Sequence, residues 1–204
     1  MGNYGERSPE APNSRGRRLL LVFALLFSLC FSHIHQGSVW TDGVRYAAIA
    51  KNIILDGQYF RLYDDYTEAP YVNKPPVLFW LIAASMKALG YSTFSVKLPG
   101  ALIAFGAMLL FAAGACWLFD SRTALLAVLL FSANALFFRS VVDINFEGLI
   151  LCGGILLLFA LLRLSHLLHL DFITALALGL GAAFLLISKP PYLLFAAPAL
   201  AYAL

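Results

Sequence analysis

An all-α polytopic membrane protein is the fold class this sequence predicts, with about six transmembrane helices and two interfacial amphipathic helices in the first outer loop. Three observations predict it. The 204 residues are 61% hydrophobic and 12% charged, with a mean hydropathy of +0.82, which is about half the ionisable content of an ordinary soluble domain. Charge-free runs long enough to cross a hydrocarbon core of ~30 Å recur along the chain. The ionisable residues that remain gather between those runs, above all in residues 41–76, TDGVRYAAIAKNIILDGQYFRLYDDYTEAPYVNKPP. The net charge of +3 is small, and Arg15, Arg17 and Arg18 sit directly before the first apolar run. That placement is a topology signal rather than a nucleic-acid footprint, so nucleic acid is excluded as a partner.

Residues 1–18 lack apolar periodicity and are rich in Gly, Pro, Ser, Asn and Arg, which predicts a disordered cytoplasmic tail. From Leu19 the chain carries no full charge until Asp42. With no small-x-small cleavage site after it, this run reads as a retained first span rather than a signal peptide. The basic tail holds the N-terminus in the cytoplasm, so Trp40 and Asp42 emerge on the far side. Residues 42–55 mix Val44, Ala47, Ile49, Ile53 and Ile54 with Arg45, Lys51 and Asn52 near a helical period, and Gly57 follows as a stop. An amphipathic helix on the outer surface is expected there. Residues 58–73 form a polar loop, and Pro75-Pro76 opens a second interfacial helix, VLFWLIAASMKALG, too short to span.

The runs 98–119, 123–142, 144–162 and 172–188 then read as further spans. Asp120 to Arg122 makes one cytoplasmic turn, and Arg163, His166 and His169 mark another. Gly179, Gly181, Ala182 and Ala183 suit close helix packing. Cys30, Cys116 and Cys152 each lie inside an apolar run without a CxxC or a nearby ligand set, as buried free thiols do. The last tract, 190–204, is shorter than a span and ends without a polar stop, so the chain is expected to be incomplete at its C-terminus.

This topology gathers chemistry on the outer side. Arg45, Lys51, Arg61, Lys74, Arg139 and Lys189 would all face outward against the positive-inside rule, which an anionic ligand would explain. Thr41 or Asp42 can cap the helix that starts here, and Asp42, held at the surface near Arg45, can act as a base toward a hydroxyl or amine. Lys74 and Lys189 each precede two prolines that stiffen the backbone. Either is a snorkelling lysine taken singly, but the pair on one face suits a phosphate. Asp143 and Glu147 stand four apart, with Arg139 four before, as an ion-pair ladder or a second acidic contribution to an outer site. His33 and His35 make an HxH at the outer end of the first span, too few ligands for a metal.

Together these residues resemble a known family. The order is Asp42-Gly43-Val44-Arg45-Tyr46 after the first span, then Asn73-Lys74-Pro75-Pro76 with Phe79 and Trp80, then Val96-Lys97-Leu98-Pro99 entering a span, then Asp143, then Ser188-Lys189-Pro190. It is similar to the N-terminal half of the GT-C fold glycosyltransferases of the dolichyl-phosphate-mannose protein mannosyltransferase and lipid A aminoarabinose transferase type, over residues 19–204. The resemblance implies an inverting transferase with a polyprenyl-phosphate sugar donor, a lipid, glycan or protein acceptor, and a site in the outer loop 41–95 of a bacterial inner membrane protein. It implies that Asp42 activates the acceptor, with Asp143 as a second catalytic acid. Lys74, Lys189 and Arg45 would meet the donor phosphate, supported by Tyr46, Glu147 and Arg139. No cofactor is called for. A divalent metal stays open, since Gly43 stands where many relatives have a second acid and Asn73 where the lipid A enzymes have Glu. The competing expectations are a transporter-like or assembly subunit, with Asp143 and Glu147 relaying ions, and a transferase fragment that binds lipid phosphate without catalysis.

Overall fold

The computed structural model describes residues 22, 25, 27, 30–32, 34, 39, 41–64, 70–134, 137, 143–167, 170–192 and 194. Among the described residues there is no strand. The elements are α1 (Thr41–Asp56), α2 (Val77–Leu89), α3 (Thr93–Leu118), α4 (Ser121–Ser132), α5 (Glu147–Leu167) and α6 (Phe172–Ser188). The described residues from 22 to 31 are helical as well. The basic tail, His33, His35, Trp40, Arg139, His169 and nearly all of 193–204 lie outside the described residues.

α1 follows from its period. Tyr46, Ile49, Ala50 and Ile53 fall at helical spacing and are all buried, while Asp42, Lys51 and Asp56 stay exposed. Gly57 ends the helix at φ +67° with its N–H on the Ile53 carbonyl, and Gly90 ends α2 at φ +81°. Both are left-handed positions that glycine takes without a Cβ clash. α2 buries Leu78, Phe79, Ile82, Ala83 and Met86 along one stripe. The stripes of α1 and α2 face each other, so the two helices bury their apolar faces in a shared core.

α3 starts five residues before its charge-free run. Ser92 is the N-cap and forms a reciprocal capping box with Ser95, whose hydroxyl also reaches the Gly90 carbonyl at 2.6 Å. Lys97 is therefore inside the helix, not before it, and is 3% exposed. The expected span 123–142 is not one helix. α4 is capped by Asp120, which accepts from the Arg122 and Thr123 N–H groups, and it stops at Ser132. The Ala133 and Asn134 N–H groups close the end on Leu129 and Phe131 carbonyls.

α3 and α5 run parallel, with a Cβ on Gly148 falling 3.1 Å from Ile103 and one on Gly114 falling 2.1 Å from Phe159. α5 and α6 run antiparallel and meet where a Cβ on Gly153 would lie 2.9 Å from the Gly181 carbonyl. Of the small residues in α6 it is Gly181, not Gly179, that this approach requires. Beyond the contact, Asp171 caps α6 by accepting from the Thr174 N–H and hydroxyl and pairs with Arg163 at 2.8 Å, and the Arg163 guanidinium lies over the Trp117 ring. Hydrogen bonding from Arg163, then from Thr174, holds the Asp171 carboxyl well below the ordinary carboxylate range. A carboxyl lowered on folding contributes stability above its unfolded value near about 4 and loses it as pH falls further, so this tie is intact at neutral pH.

Two helices, α3 and residues Glu147–Ser165 of α5, are long and apolar enough to cross a membrane, and α2, α4 and α6 are shorter apolar helices.

Candidate functional site

The shared core of α1 and α2 ends in an aromatic cluster that also takes in the start of α5. Phe79, fully buried, sits edge-on to Tyr46 at 5.3 Å, to Phe146 at 5.7 Å and to Tyr71 at 5.8 Å between ring centroids. Tyr46 also meets Phe146 edge-on at 5.7 Å. These rings come from α1, the segment between α1 and α2, α2 and the segment before α5. Edge-to-face pairs fix ring orientation as well as burying area. Four separate pieces of chain are thereby held at one place.

Polar groups ring this cluster. α1 already includes Thr41, so Asp42 is an exposed first-turn residue rather than the helix cap, in a position that the helix dipole favours for a carboxylate. Next to it, a Cβ on Gly43 would stand 2.7 Å from Val39 Cγ1 and 3.3 Å from Asp143 Oδ1. The Asp143 carboxylate thus abuts the first turn of α1, and glycine at 43 permits the approach. Gly43→Ala is expected to overpack this contact at a cost of about 1–3 kcal/mol, read as a lowered Tm. An unchanged Tm would mean that the two segments part freely.

Asp143 is half-buried, and its Oδ1 accepts from the Ile144 N–H at 2.9 Å. It does not share a helix face with Glu147. α5 begins at Glu147, whose N–H is taken by Asn145 Oδ1 at 3.1 Å, so the four-residue spacing crosses a helix start. Arg139, the expected third rung, lies outside the described residues. Lys74 is half-buried, with its ammonium 5.6 Å from the centre of the Phe146 ring. Tyr46 is 3% exposed. Burial, then the nearby Tyr71, Asp42 and Glu147, push the Tyr46 phenol up, so it stays a protonated donor at neutral pH.

Arg45 points to a residue the sequence did not single out. Its Nε is 2.8 Å from Asp64 Oδ2, a carboxylate 1% exposed, and its guanidinium lies 5.7 Å from the Tyr71 ring centre. Asp65 and Glu68, neighbouring acids of the same loop, lie outside the described residues. Lys189 is exposed at the end of α6, with its ammonium over the Tyr192 ring at 5.1 Å. Continuing the antiparallel register of Gly153 and Gly181 puts Lys189 level with the first turn of α5, at the same end of the bundle as Asp143. The structure thus brings Asp42, Arg45, Tyr46, Lys74, Asp143 and Glu147 around one aromatic cluster, with Lys189 at the same end of the bundle.

Among the described residues no three His, Cys, Asp or Glu side chains come together as a metal site. The arrangement joins carboxylates with fixed cations, a combination suited to activating a nucleophile opposite an anionic leaving group.

The family model described as dolichyl-phosphate-mannose-protein mannosyltransferase matches residues 73–204. An uncharacterized protein of Aquifex aeolicus (strain VF5) is 27% identical over 123 residues, 59% of this chain and 24% of its own length. Among solved structures, apo ArnT from Cupriavidus metallidurans is similar with a TM-score of 0.59 and 18% identity, covering 91% of this chain and 43% of that one. The same protein bound to undecaprenyl phosphate matches with a TM-score of 0.48 and 16% identity. The chain therefore spans about a quarter of its curated relative and less than half of ArnT. With its fold shared with ArnT and most of its length matched by the family model, the chain belongs to the dolichyl-phosphate-mannose-protein mannosyltransferase family, of the GT-C type of glycosyltransferase.

Proposed function

We propose that the chain carries the catalytic end of a membrane glycosyltransferase, which moves a sugar from a polyprenyl-phosphate donor to a lipid, glycan or protein acceptor on the outer face of the membrane. The observation that carries this reading is the meeting of the α1 first turn, bearing Asp42, with Asp143 and Lys74 around the Phe79 and Phe146 rings. In this reading residues 19–204 form the transmembrane domain, of about six spans, the outer loop 41–95 carries the site, and the N-terminus is cytoplasmic in a bacterial inner membrane.

Asp42 takes the proton from an acceptor hydroxyl or amine as that atom attacks the anomeric carbon of the sugar. The bond from that carbon to the donor phosphate oxygen breaks on the opposite side, and the phosphate leaves with the electron pair. Lys74 and Arg45, with Lys189 from the end of α6, stabilise the charge that grows on it. Asp143, against the first turn of α1, keeps the acceptor side acidic, and Tyr46 and Glu147 complete the wall. The apolar groove of about 480 Å³ lined by Ile103, Gly106, Leu109, Leu110, Cys152 and Phe184 supports the donor class, because an isoprenoid tail needs such a surface beside the site. Ile103 and Phe184 also pack on the site's aromatic core.

The test is transfer by the whole protein in nanodiscs, supplied with polyprenyl-phosphate sugars and with nucleotide sugars in parallel. Consumption of the lipid-linked sugar alone is expected, and use of nucleotide sugars alone would reject the reading. Lys74→Ala should weaken binding of a polyprenyl phosphate by about tenfold or more, since a fixed charge-assisted contact is lost. Unchanged affinity would return Lys74 to the role of an interfacial lysine.

A further inference from the structure

Asp64 is the most deeply buried carboxylate among the described residues, and nothing in the proposed chemistry uses it. Its side chain is 1% exposed, yet its partner Arg45 is 34% exposed. The carboxylate is buried while the arginine side chain is partly open, three positions from Asp42 on the same helix face.

The loop that carries Asp64 is itself anchored. Asn52 of α1 donates to the Tyr63 carbonyl at 3.3 Å, the Tyr71 N–H donates to the Leu62 carbonyl at 2.6 Å, and the Trp80 indole N–H of α2 donates to the Tyr59 carbonyl at 2.6 Å. Leu62 is buried in the core shared by α1 and α2. These ties hold residues 59–64 against both helices, so the carboxylate is a fixed point.

Resting on the reading of Arg45 as a donor-phosphate ligand, we propose that Asp64 is the positioning residue for Arg45: gripping the guanidinium through Nε, against the Tyr71 ring, it sets the fork toward the phosphate of the lipid-linked donor. Arginine recognises phosphate through a planar fork, and that contact depends on orientation more than on charge alone. Pairing with Asp64 reduces the long-range pull of Arg45 on an anion, while fixing the plane removes the rotamer freedom that an arginine otherwise loses on binding.

The experiment measures binding of a polyprenyl phosphate, and of the matching neutral polyprenol, to the whole protein in nanodiscs, for wild type, Arg45→Ala, Asp64→Asn and the double variant. Asp64→Asn keeps the side-chain volume, and Tm is recorded for each. The proposal expects Arg45→Ala and Asp64→Asn each to weaken the phosphate lipid by about five- to twentyfold, with the polyprenol unchanged. It also expects Asp64→Asn to add nothing to Arg45→Ala, because it acts through that side chain. If Arg45→Ala weakens the phosphate lipid and Asp64→Asn does not, Asp64 is only a fastening and the proposal is overturned. A loss in Asp64→Asn that persists in the Arg45→Ala background, or that falls equally on polyprenol, overturns it too. If Arg45→Ala itself leaves phosphate affinity unchanged, what fails is the reading of Arg45 as a donor ligand, and the proposal falls with it. Should Asp64→Asn lower Tm too far for measurement, Asp64→Glu takes its place: it keeps the charge but displaces the fork, and the same selective loss is expected.

Discussion

Asp42→Asn is expected to reduce sugar transfer by about 10²–10⁴-fold, the range lost when a positioned general base is removed, while Tm and binding of a polyprenyl phosphate hold. The side chain is exposed, in the first turn of α1, and packs in no core. Its replacement by a same-sized amide gives up only the interaction of a carboxylate with the helix N-terminus, about 0.3–1 kcal/mol. The fold barely registers such a change, whereas an amide cannot accept the proton of an attacking hydroxyl. Asp143→Asn serves as the comparison. Asp143 lies against Gly43 and bonds to its own neighbouring N–H, so part of its loss should appear as a shift of the α1 start rather than as chemistry. Near wild-type turnover by Asp42→Asn in the whole protein would remove Asp42 from the mechanism.

How much of this could be read beforehand differs by the kind of signal. Helices α1 and α2 were legible because three signals agreed: a helical apolar period, the double proline before Val77, and a glycine at 57 where the backbone turns left-handed. Uncharged runs were poorer guides, since hydropathy tells what lipid tolerates and not where a helix stops. The run 123–142 is broken at Ala133 and Asn134, and α3 begins earlier than its apolar stretch because Ser92 and Ser95 make a capping box. Among the site residues, Asp42 and Lys74 stood out by their place next to span ends and prolines. Asp64 did not, because it shares its loop with Asp65 and Glu68, and sequence spacing cannot say which acid an arginine on a preceding helix will pull inside. The Asp143 and Glu147 spacing misled for a related reason. Four residues imply one face only inside a helix, and Asn145 starts the helix between them.

The aromatic cluster gives the other large expected effect. Phe79→Ala should cost about 3–5 kcal/mol of stability, the usual range for deleting a buried phenyl ring, and should abolish transfer although Phe79 touches no reacting group. The ring is fully buried and is the common neighbour of Tyr46, Tyr71 and Phe146. Removing it leaves a void where α1, the segment between α1 and α2, α2 and the approach to α5 meet. The first turn with Asp42, the Arg45 pair and the Lys74 ammonium over Phe146 then lose their shared reference, and displacements of about 1 Å suffice to lose ~100-fold in rate. Phe79→Leu refills part of the void and should recover stability further than activity, because an aliphatic side chain restores volume without the edge-to-face contacts that orient the rings. Thermal unfolding and transfer measured together in nanodiscs decide the matter: a Phe79→Ala protein with wild-type Tm and rate would show that the site is held by something other than this cluster.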